Sequence, residues 1–314
     1  MSNPLLVILG PTASGKTKLA VGLADKFNGE IISADSRQIF RDMDIGTGKD
    51  LNEYQVNGKS IPYHLINIKE AGEKYHVDSF KNDFYKAFVD ILERNVNPIL
   101  CGGTGMYIHS LIQNQEFTAV PKNEDLRQEL QQLDKGTLLE RLDKYPKELT
   151  KNVDYSSFKR LVRAIEIAEF LSHNQLETIE RPVINPFIIG LHSDVESRRK
   201  RILERLELRL NSGLIEEVEH LLSKGISKEM LIFYGLEYKF ITSYLSNELD
   251  FDTLKERLGT AICQFAKRQM TFFRKMEKDG VKINWFDVND ADLQEQVIKL
   301  LGSKFDSNNR IFAE

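Results

Sequence analysis

Cysteine is nearly absent: Cys101 and Cys263 are the only two in 314 residues. Two thiols in apolar surroundings build neither a disulfide framework nor a cysteine-rich zinc module. The six histidines (64, 76, 109, 173, 192 and 220) show no H-E-x-x-H or comparable spacing, which argues against a histidine metal site. No apolar run approaches the ~18 residues that span a bilayer, and there is no internal repeat or low-complexity stretch. A basic surplus is missing too. Lys and Arg number 43 against 47 Asp and Glu, a net charge of -4, so the chain is not a generally basic nucleic-acid coat. The N-terminus, MSNPLLVILGPTASGKT, has neither the basic start nor the small-residue cleavage site of a secretory signal. The expectation is a cytoplasmic enzyme without a membrane segment, of about two domains by length.

What is present alternates between short apolar runs and amphipathic stretches. Residues 3–9 (NPLLVIL) stop at Gly10-Pro11 as a buried parallel strand does. Residues 16–27 carry Leu19, Ala20, Leu23, Ala24 and Phe27 at helical spacing. Strands are expected at 30–33, 63–68 and 98–101, with a long helix over 77–94 between the last two. The alternation predicts an α/β fold, a parallel sheet flanked by helices. From 117 to 184 only amphipathic helices follow, broken at Asp134–Gly136 and at Tyr145-Pro146, so a helical insertion domain is expected there. The core would then comprise 1–116 and 185–314. It resumes at the strand 187–192, continues through helices at 194–211, 213–224, 235–246 and 252–278, and closes on an edge strand at 281–286.

The loop Gly10-Pro11-Thr12-Ala13-Ser14-Gly15-Lys16-Thr17 matches G-x-x-x-x-G-K-[ST] between a strand and a helix, the context that motif requires. Gly10 and Gly15 let the backbone curl so that successive N–H groups point inward as an anion nest. The helix starting near Lys16 adds the positive end of its dipole. Lys16 offers a mobile charge to a phosphate, and Thr17 a hydroxyl for Mg²⁺. Such a nucleotide-binding, P-loop NTPase-like core does not fix the reaction. ATP-dependent phosphoryl transfer usually adds an apolar strand ending in a metal-binding Asp, yet the strand at 98–101 ends in Gly102-Gly103-Thr104. The first acid after a strand is Asp35. It either helps hold the metal or accepts a proton from a nucleophile near the phosphates.

Several strings in series resemble the tRNA dimethylallyltransferases (tRNA isopentenyltransferases). GPTASGKT is that family's form of the loop, and residues 35–49 (DSRQIFRDMDIGTGK) resemble D-S-x-Q-h-Y-x-x-M-D-I-G-T-A-K. Residues 62–68 (PYHLINI), 98–107 (PILCGGTGMY), 159–166 (KRLVRAIE), 201–218 and 266–274 (AKRQMTFFR) are similar to its remaining blocks, in order. The resemblance implies transfer of a dimethylallyl group from dimethylallyl diphosphate to N6 of adenosine 37, beside the anticodon, in tRNAs reading codons that begin with U. Asp35 would take the N6 proton, with Thr12 and Arg205 as further catalytic residues. The loop from Gly10 to Thr17 would hold the diphosphate with Mg²⁺. Ser36, Arg37, Gln38, Thr104, Arg127 and the stretch Lys159, Arg160, Leu161, Val162 and Arg163 fall where the family touches tRNA. In the family, the helical insertion helps grip the anticodon stem-loop. A monomer is expected, because no heptad or obvious apolar patch argues otherwise.

Some positions depart from the pattern. Arg37 replaces a small or apolar residue, Gly48 the Ala of G-T-A-K, and Asn67 the Asp of L-I-D. Arg209 stands where Met is frequent, and Phe233 to Lys239 match h-G-Y-[KR]-[EQ] loosely. Two segments, 198–209 with six basic and two acidic residues and 267–278 with five and one, read as solvated helix faces unless they border a phosphate site. His64, Tyr107 and Trp285 read as packing, Thr104 alone reads equally as a helix cap, and Phe272 and Phe273 as a buried stripe. Two other activities share the loop and sheet: a small-molecule kinase, and prenyl transfer to free adenine nucleotides. Neither explains a helical insertion followed by basic helices.

Overall fold

Leu5 to Leu9 are all fully buried, which requires a strand covered on both faces. In this computed structural model, which describes residues 3–302 apart from 151, 152, 154 and 178, that strand is β1 (Asn3–Leu9). The order continues α1 (Lys16–Lys26), β2 (Gly29–Ser33), a hairpin of β3 (Gln55–Val56) and β4 (Lys59–Ser60), β5 (Tyr63–His64), α2 (Val77–Glu93), β6 (Asn97–Gly102) and α3 (Gly105–Ile112). Among the described residues the main sheet has six strands in the order β5-β2-β6-β1-β7-β8, all parallel, with β7 at Ile184–His192 and β8 at Asn284–Asp287. Parallel pairing, with helices on both faces, is the α/β architecture expected from the alternating pattern.

Side chains alternate across the strand plane, and the core follows suit. Leu5, Val7 and Leu9 pack with Phe80, Phe84 and Phe88 of α2 on one face. Leu6 and Ile8 pack with Leu19 and Leu23 of α1 on the other, joined by Val297 and Leu301 of a helix at Leu293–Leu301. That last helix buries Val297 and Leu301, one helical turn apart. The expected strand at 63–68 ends at His64 instead, because Leu65 and Asn67 adopt positive φ (62° and 56°) and break the extended run.

The chain divides into two compact units, Met1–Gln113 with Pro182–Glu314, and Asn114–Arg181. The helical unit therefore starts and ends slightly before the 117–184 expected, and Ile184 already pairs with Asn3 in the sheet. It contains α4 (Glu124–Gln131), α5 (Lys135–Leu142), α6 (Lys147–Thr150) and α7 (Phe158–His173). Asn123 and Asp134 cap α4 and α5, each side chain accepting from N–H groups of the first turn. Leu126, Leu130, Leu138, Leu142, Leu161, Val162 and Ile165 form its own small core. After β7 the first unit runs through α8 (Val195–Leu210), α9 (Leu214–Ser223), α10 (Lys228–Tyr234), α11 (Leu236–Leu245) and α12 (Phe251–Lys278) before β8. No helix among the described residues is long and apolar enough to cross a membrane.

At the edge of the first core, buried Glu30 accepts from Arg94 Nη2 at 2.7 Å and lies 2.8 Å from His64 Nε2. His64 is thus a packing partner of an acid, as its strand-like setting suggested. The Arg94 guanidinium and then His64 hold the Glu30 carboxyl below the usual carboxylate range. A depressed carboxyl stabilises the fold above its unfolded value and loses that stabilisation as pH falls through the folded one. Glu30→Gln is therefore expected to cost about 1–2 kcal/mol at pH 7. In urea titrations the difference from wild type should shrink as pH drops below the ordinary value of 4.5. A pH-independent difference would contradict this coupling.

Candidate active site

The carboxyl ends of three adjacent strands, β2, β6 and β1, meet at one point, where ligands bind in open parallel sheets. After β1 the loop from Gly10 to Thr17 curls with Ala13 and Gly15 at positive φ (57° and 73°), and Gly15 opens α1. The Lys16 ammonium donates to Pro11 O at 2.8 Å within the loop. Burial pushes Lys16 below the ordinary lysine range, with Cys101 and Asp35 among the groups opposing the shift. After β2 the chain turns at Asp35, whose Oδ1 accepts from Arg37 N–H at 2.9 Å. After β6 it passes through Gly102, where a Cβ would collide with the carbonyl of Ala34. Only glycine permits that approach.

These three strand ends open on one cavity of about 580 Å³. Thr12, Lys16, Thr17, Asp35, Ser36, Arg37, Gln38, Thr104 and Arg205 all line it. Gly10, Pro11 and Ser14 are buried behind the loop's surface, and Ala13 is half-buried. Thr104 does not cap α3 with its side chain; its Oγ1 accepts from Ser36 N–H at 3.0 Å instead. Gln38 spans the wall, with Ser33 Oγ donating to its Oε1 (2.9 Å) and its Nε2 donating to Gly48 O (3.2 Å). Cys101 also lines the cavity, but burial pushes its thiol up to about 12, so it is no nucleophile.

Opposite the loop, α8 presents Arg201, Arg205 and Arg209 four residues apart, on one face. Arg201 Nε donates to Ala13 O at 3.2 Å, and its other nitrogens bind Ser193 Oγ (2.7 Å) and Asn289 Oδ1 (2.9 Å). Arg205 pairs with Asp50. The segment 198–209 thus borders the phosphate loop, the condition under which its solvated-face reading fails. In 267–278 only Arg268 and Gln269 of the polar residues reach this cavity. Phe272 lines it while Phe273 is fully buried, which splits the expected stripe. The remaining wall comes from Phe233, Tyr234 and Tyr238 of α10 and α11, with Phe265 of α12.

Gln269 and Glu217, to which no motif gives a role, hold this geometry. Gln269 of α12 accepts from Thr12 N–H at 2.9 Å and donates to Gly103 O at 2.9 Å, tying the phosphate loop to the turn after β6. A polar residue on the apolar face of Ile262, Ala266 and Phe273 was the available signal. Glu217 of α9 accepts from the N–H groups of Asp44 (2.7 Å), Ile45 (2.6 Å) and Gly46 (3.0 Å), and Tyr238 Oη donates to it at 2.8 Å. It fixes the turn leading to Gly48. Buried Lys49 anchors the same turn by donating to Phe40 O (2.5 Å), Asp44 Oδ1 (2.6 Å) and Asn67 Oδ1 (2.5 Å). With Asp44 supplying the charge, Asn67 serves where the related pattern has Asp.

The family model described as IPP transferase matches residues 38–276. The chain belongs to the IPP transferase family. A second model, isopentenyl transferase, matches residues 3–64. tRNA dimethylallyltransferase 2 of Porphyromonas gingivalis (strain ATCC BAA-308 / W83) is 52% identical over 95% of this chain and 99% of its own length. tRNA dimethylallyltransferase 1 of Parabacteroides distasonis is 49% identical over 91% of this chain and 93% of its own. Among solved structures, the full-length tRNA isopentenylpyrophosphate transferase of Bacillus halodurans matches with a TM-score of 0.70 at 30% identity, covering 96% of this chain and 95% of that one. A eukaryotic dimethylallyltransferase acting on tRNA shares the fold, with a TM-score of 0.77 at 23% identity, over 100% of this chain and 82% of that one. As an IPP transferase, the protein is a prenyl-transferring enzyme on a P-loop NTPase-like fold.

The helical unit holds the other residues expected to contact tRNA, and part of that expectation is corrected. Leu161 and Val162 are 0% and 4% exposed in its core, so their side chains touch leucines rather than a ligand. Arg127 Nη2 lies 2.5 Å from Oε2 of buried Glu166, and Arg163 Nη1 lies 3.7 Å from the same oxygen. Arg163 also donates to Val120 O at 2.6 Å. Both guanidinium groups brace the unit. Lys159 and Arg160 are exposed on α7.

Gln269→Leu keeps the bulk but leaves a loop N–H and a carbonyl without partners. The expected cost is about 1–3 kcal/mol, with faster hydrogen exchange at the Thr12 amide. Unchanged exchange there would show that Gln269 does not tie the loop.

Proposed function

We propose that this cavity transfers a dimethylallyl group from dimethylallyl diphosphate to N6 of adenosine 37 in tRNAs that read codons beginning with U, forming N6-(dimethylallyl)adenosine. The observation that carries the reading is the opening of the glycine loop, Asp35 and Arg205 onto one cavity with an aromatic far wall. About 580 Å³ suits a small donor and one base. The relatives named tRNA dimethylallyltransferase support the choice of donor and acceptor.

Adenine N6 is a weak nucleophile, because its lone pair is delocalised into the ring. The chemistry therefore depends on ionising the allylic C–O bond while N6 loses a proton. The N6–C bond forms, the C–O bond breaks, diphosphate departs with the bonding pair, and Asp35 accepts the N6 proton. Thr12, the loop amides, Lys16 and Arg205 stabilise the charge that grows on the departing oxygen. Alignment of N6 with the allylic carbon across the cavity adds the proximity advantage. Ser36, Arg37, Gln38 and Thr104 border the base, while Phe233 and Phe265, both substantially exposed, offer faces for a base drawn out of its stack. Exposed Lys159 and Arg160 suit the phosphates of the anticodon stem-loop.

No group of three or more His, Cys, Asp or Glu able to hold a metal occurs among the described residues. Mg²⁺ fits here only as an ion carried largely by diphosphate oxygens, with Thr17 as a protein ligand, the manner in which this ion is usually bound. Bound so, it would neutralise charge on the leaving group. On this reading the enzyme works as a monomer in the cytoplasm, with its tRNA.

Asp35→Asn removes the proton acceptor with little change of shape. The expected loss in kcat is roughly 100- to 10,000-fold, with tRNA affinity within a few-fold of wild type by filter binding. A near-normal rate would overturn the role of Asp35.

A further inference from the structure

Arg205 and Arg209 both face the cavity, and their Nη2 atoms converge on the position a Cβ of residue 48 would occupy. Such a Cβ would lie 2.6 Å from Arg205 Nη2 and inside the Arg209 guanidinium. Gly48, at φ 64°, supplies the space.

The pair is under-neutralised. Asp50 Oδ2 binds Arg205 and stands 3.9 Å from Arg209 Nη2, so one carboxylate faces two guanidinium groups. Arg209 Nη2 is buried and has no hydrogen-bond partner among the described residues. Glu237, also in the cavity wall, is held above the usual carboxylate range by burial, with Arg209 and Arg37 opposing the shift. A buried guanidinium with a free donor calls for an acceptor rich in charge. Two arginines with one carboxylate between them suit an anion that carries more than one negative charge and several oxygens.

We propose that Arg209 is a second arginine for the leaving group of an allylic diphosphate, admitted by Gly48, and that the two positions act as one unit. The inference rests on the reading of this cavity as the donor site. On donor binding, the diphosphate oxygens take over Arg205 Nη2 from Asp50 and accept from the unpartnered Arg209 Nη2. The consequence is tighter binding of donor and of product diphosphate than Arg205 and Lys16 alone provide.

Calorimetric titration with inorganic pyrophosphate and Mg²⁺ tests this on the full chain. Arg209→Met is expected to weaken binding roughly ten- to a hundredfold, and Arg209→Lys by less, since charge survives but the fork does not. Gly48→Ala leaves Arg209 in the chain but displaces its guanidinium, and is expected to weaken binding comparably. The double variant G48A/R209M should bind no more weakly than R209M, whereas additive losses would show that the positions are independent. Affinity for tRNA should stay within a few-fold throughout, so that a general loss of fold is distinguishable. Wild-type affinity in both Arg209→Met and Gly48→Ala would overturn the proposal while leaving the donor-site reading intact. Should wild type itself bind neither pyrophosphate nor dimethylallyl diphosphate, both fall together.

Discussion

A glycine-rich turn between a parallel strand and a helix is a ready anion site, and the first unit is arranged around it. The turn between β1 and α1 carries two residues at positive φ and a lysine that donates to a carbonyl of its own loop. Its conformation is held from outside. Gln269 reaches in from α12 to the Thr12 amide, and Arg201 from α8 to the Ala13 carbonyl. Both supports come from helices far along the chain.

A net charge of -4 coexists with a cationic cavity because fields in such a site are set locally. Lys16, Arg37, Arg205 and Arg209 all line the same space, with Asp35 and Glu237 among the acids facing them. Burial lowers the proton affinity of Lys16, Arg37 and Arg209 alike. Cations held out of water in this way gain more from an arriving anion than exposed ones do. The surplus acids elsewhere on the surface leave that balance intact.

The glycine loop, the parallel strands and most helices were legible because each rests on a local pattern: a fixed spacing, or a run of apolar residues with period 2 or 3.6. Asp35 was legible as the first acid beyond a strand. What escaped depends on pairings between distant residues. Glu217 gives no sign in its own helix that its carboxylate will gather three amides of the segment 44–46. The turn at 65–67 defeats an apolar run because Lys49 draws Asn67 toward it. Thr104 resembled a cap until β2 brought the Ser36 amide to its hydroxyl. In the helical unit the resemblance marked 159–166 as one block, yet its leucine and valine serve the core and its arginine braces a buried glutamate. A shared motif does not separate residues that touch a ligand from those that position them.

The central claim is that carbon, rather than phosphorus, leaves the diphosphate held by the loop, and that the acceptor is a tRNA base. The most direct measurement supplies the purified protein with Mg²⁺ and dimethylallyl diphosphate labelled in the allyl group, in parallel with unmodified tRNA and with AMP. Label appearing in tRNA, one diphosphate released per group transferred, is the expected result. Label confined to AMP, or no transfer while ATP is consumed to phosphorylate a metabolite, would contradict it.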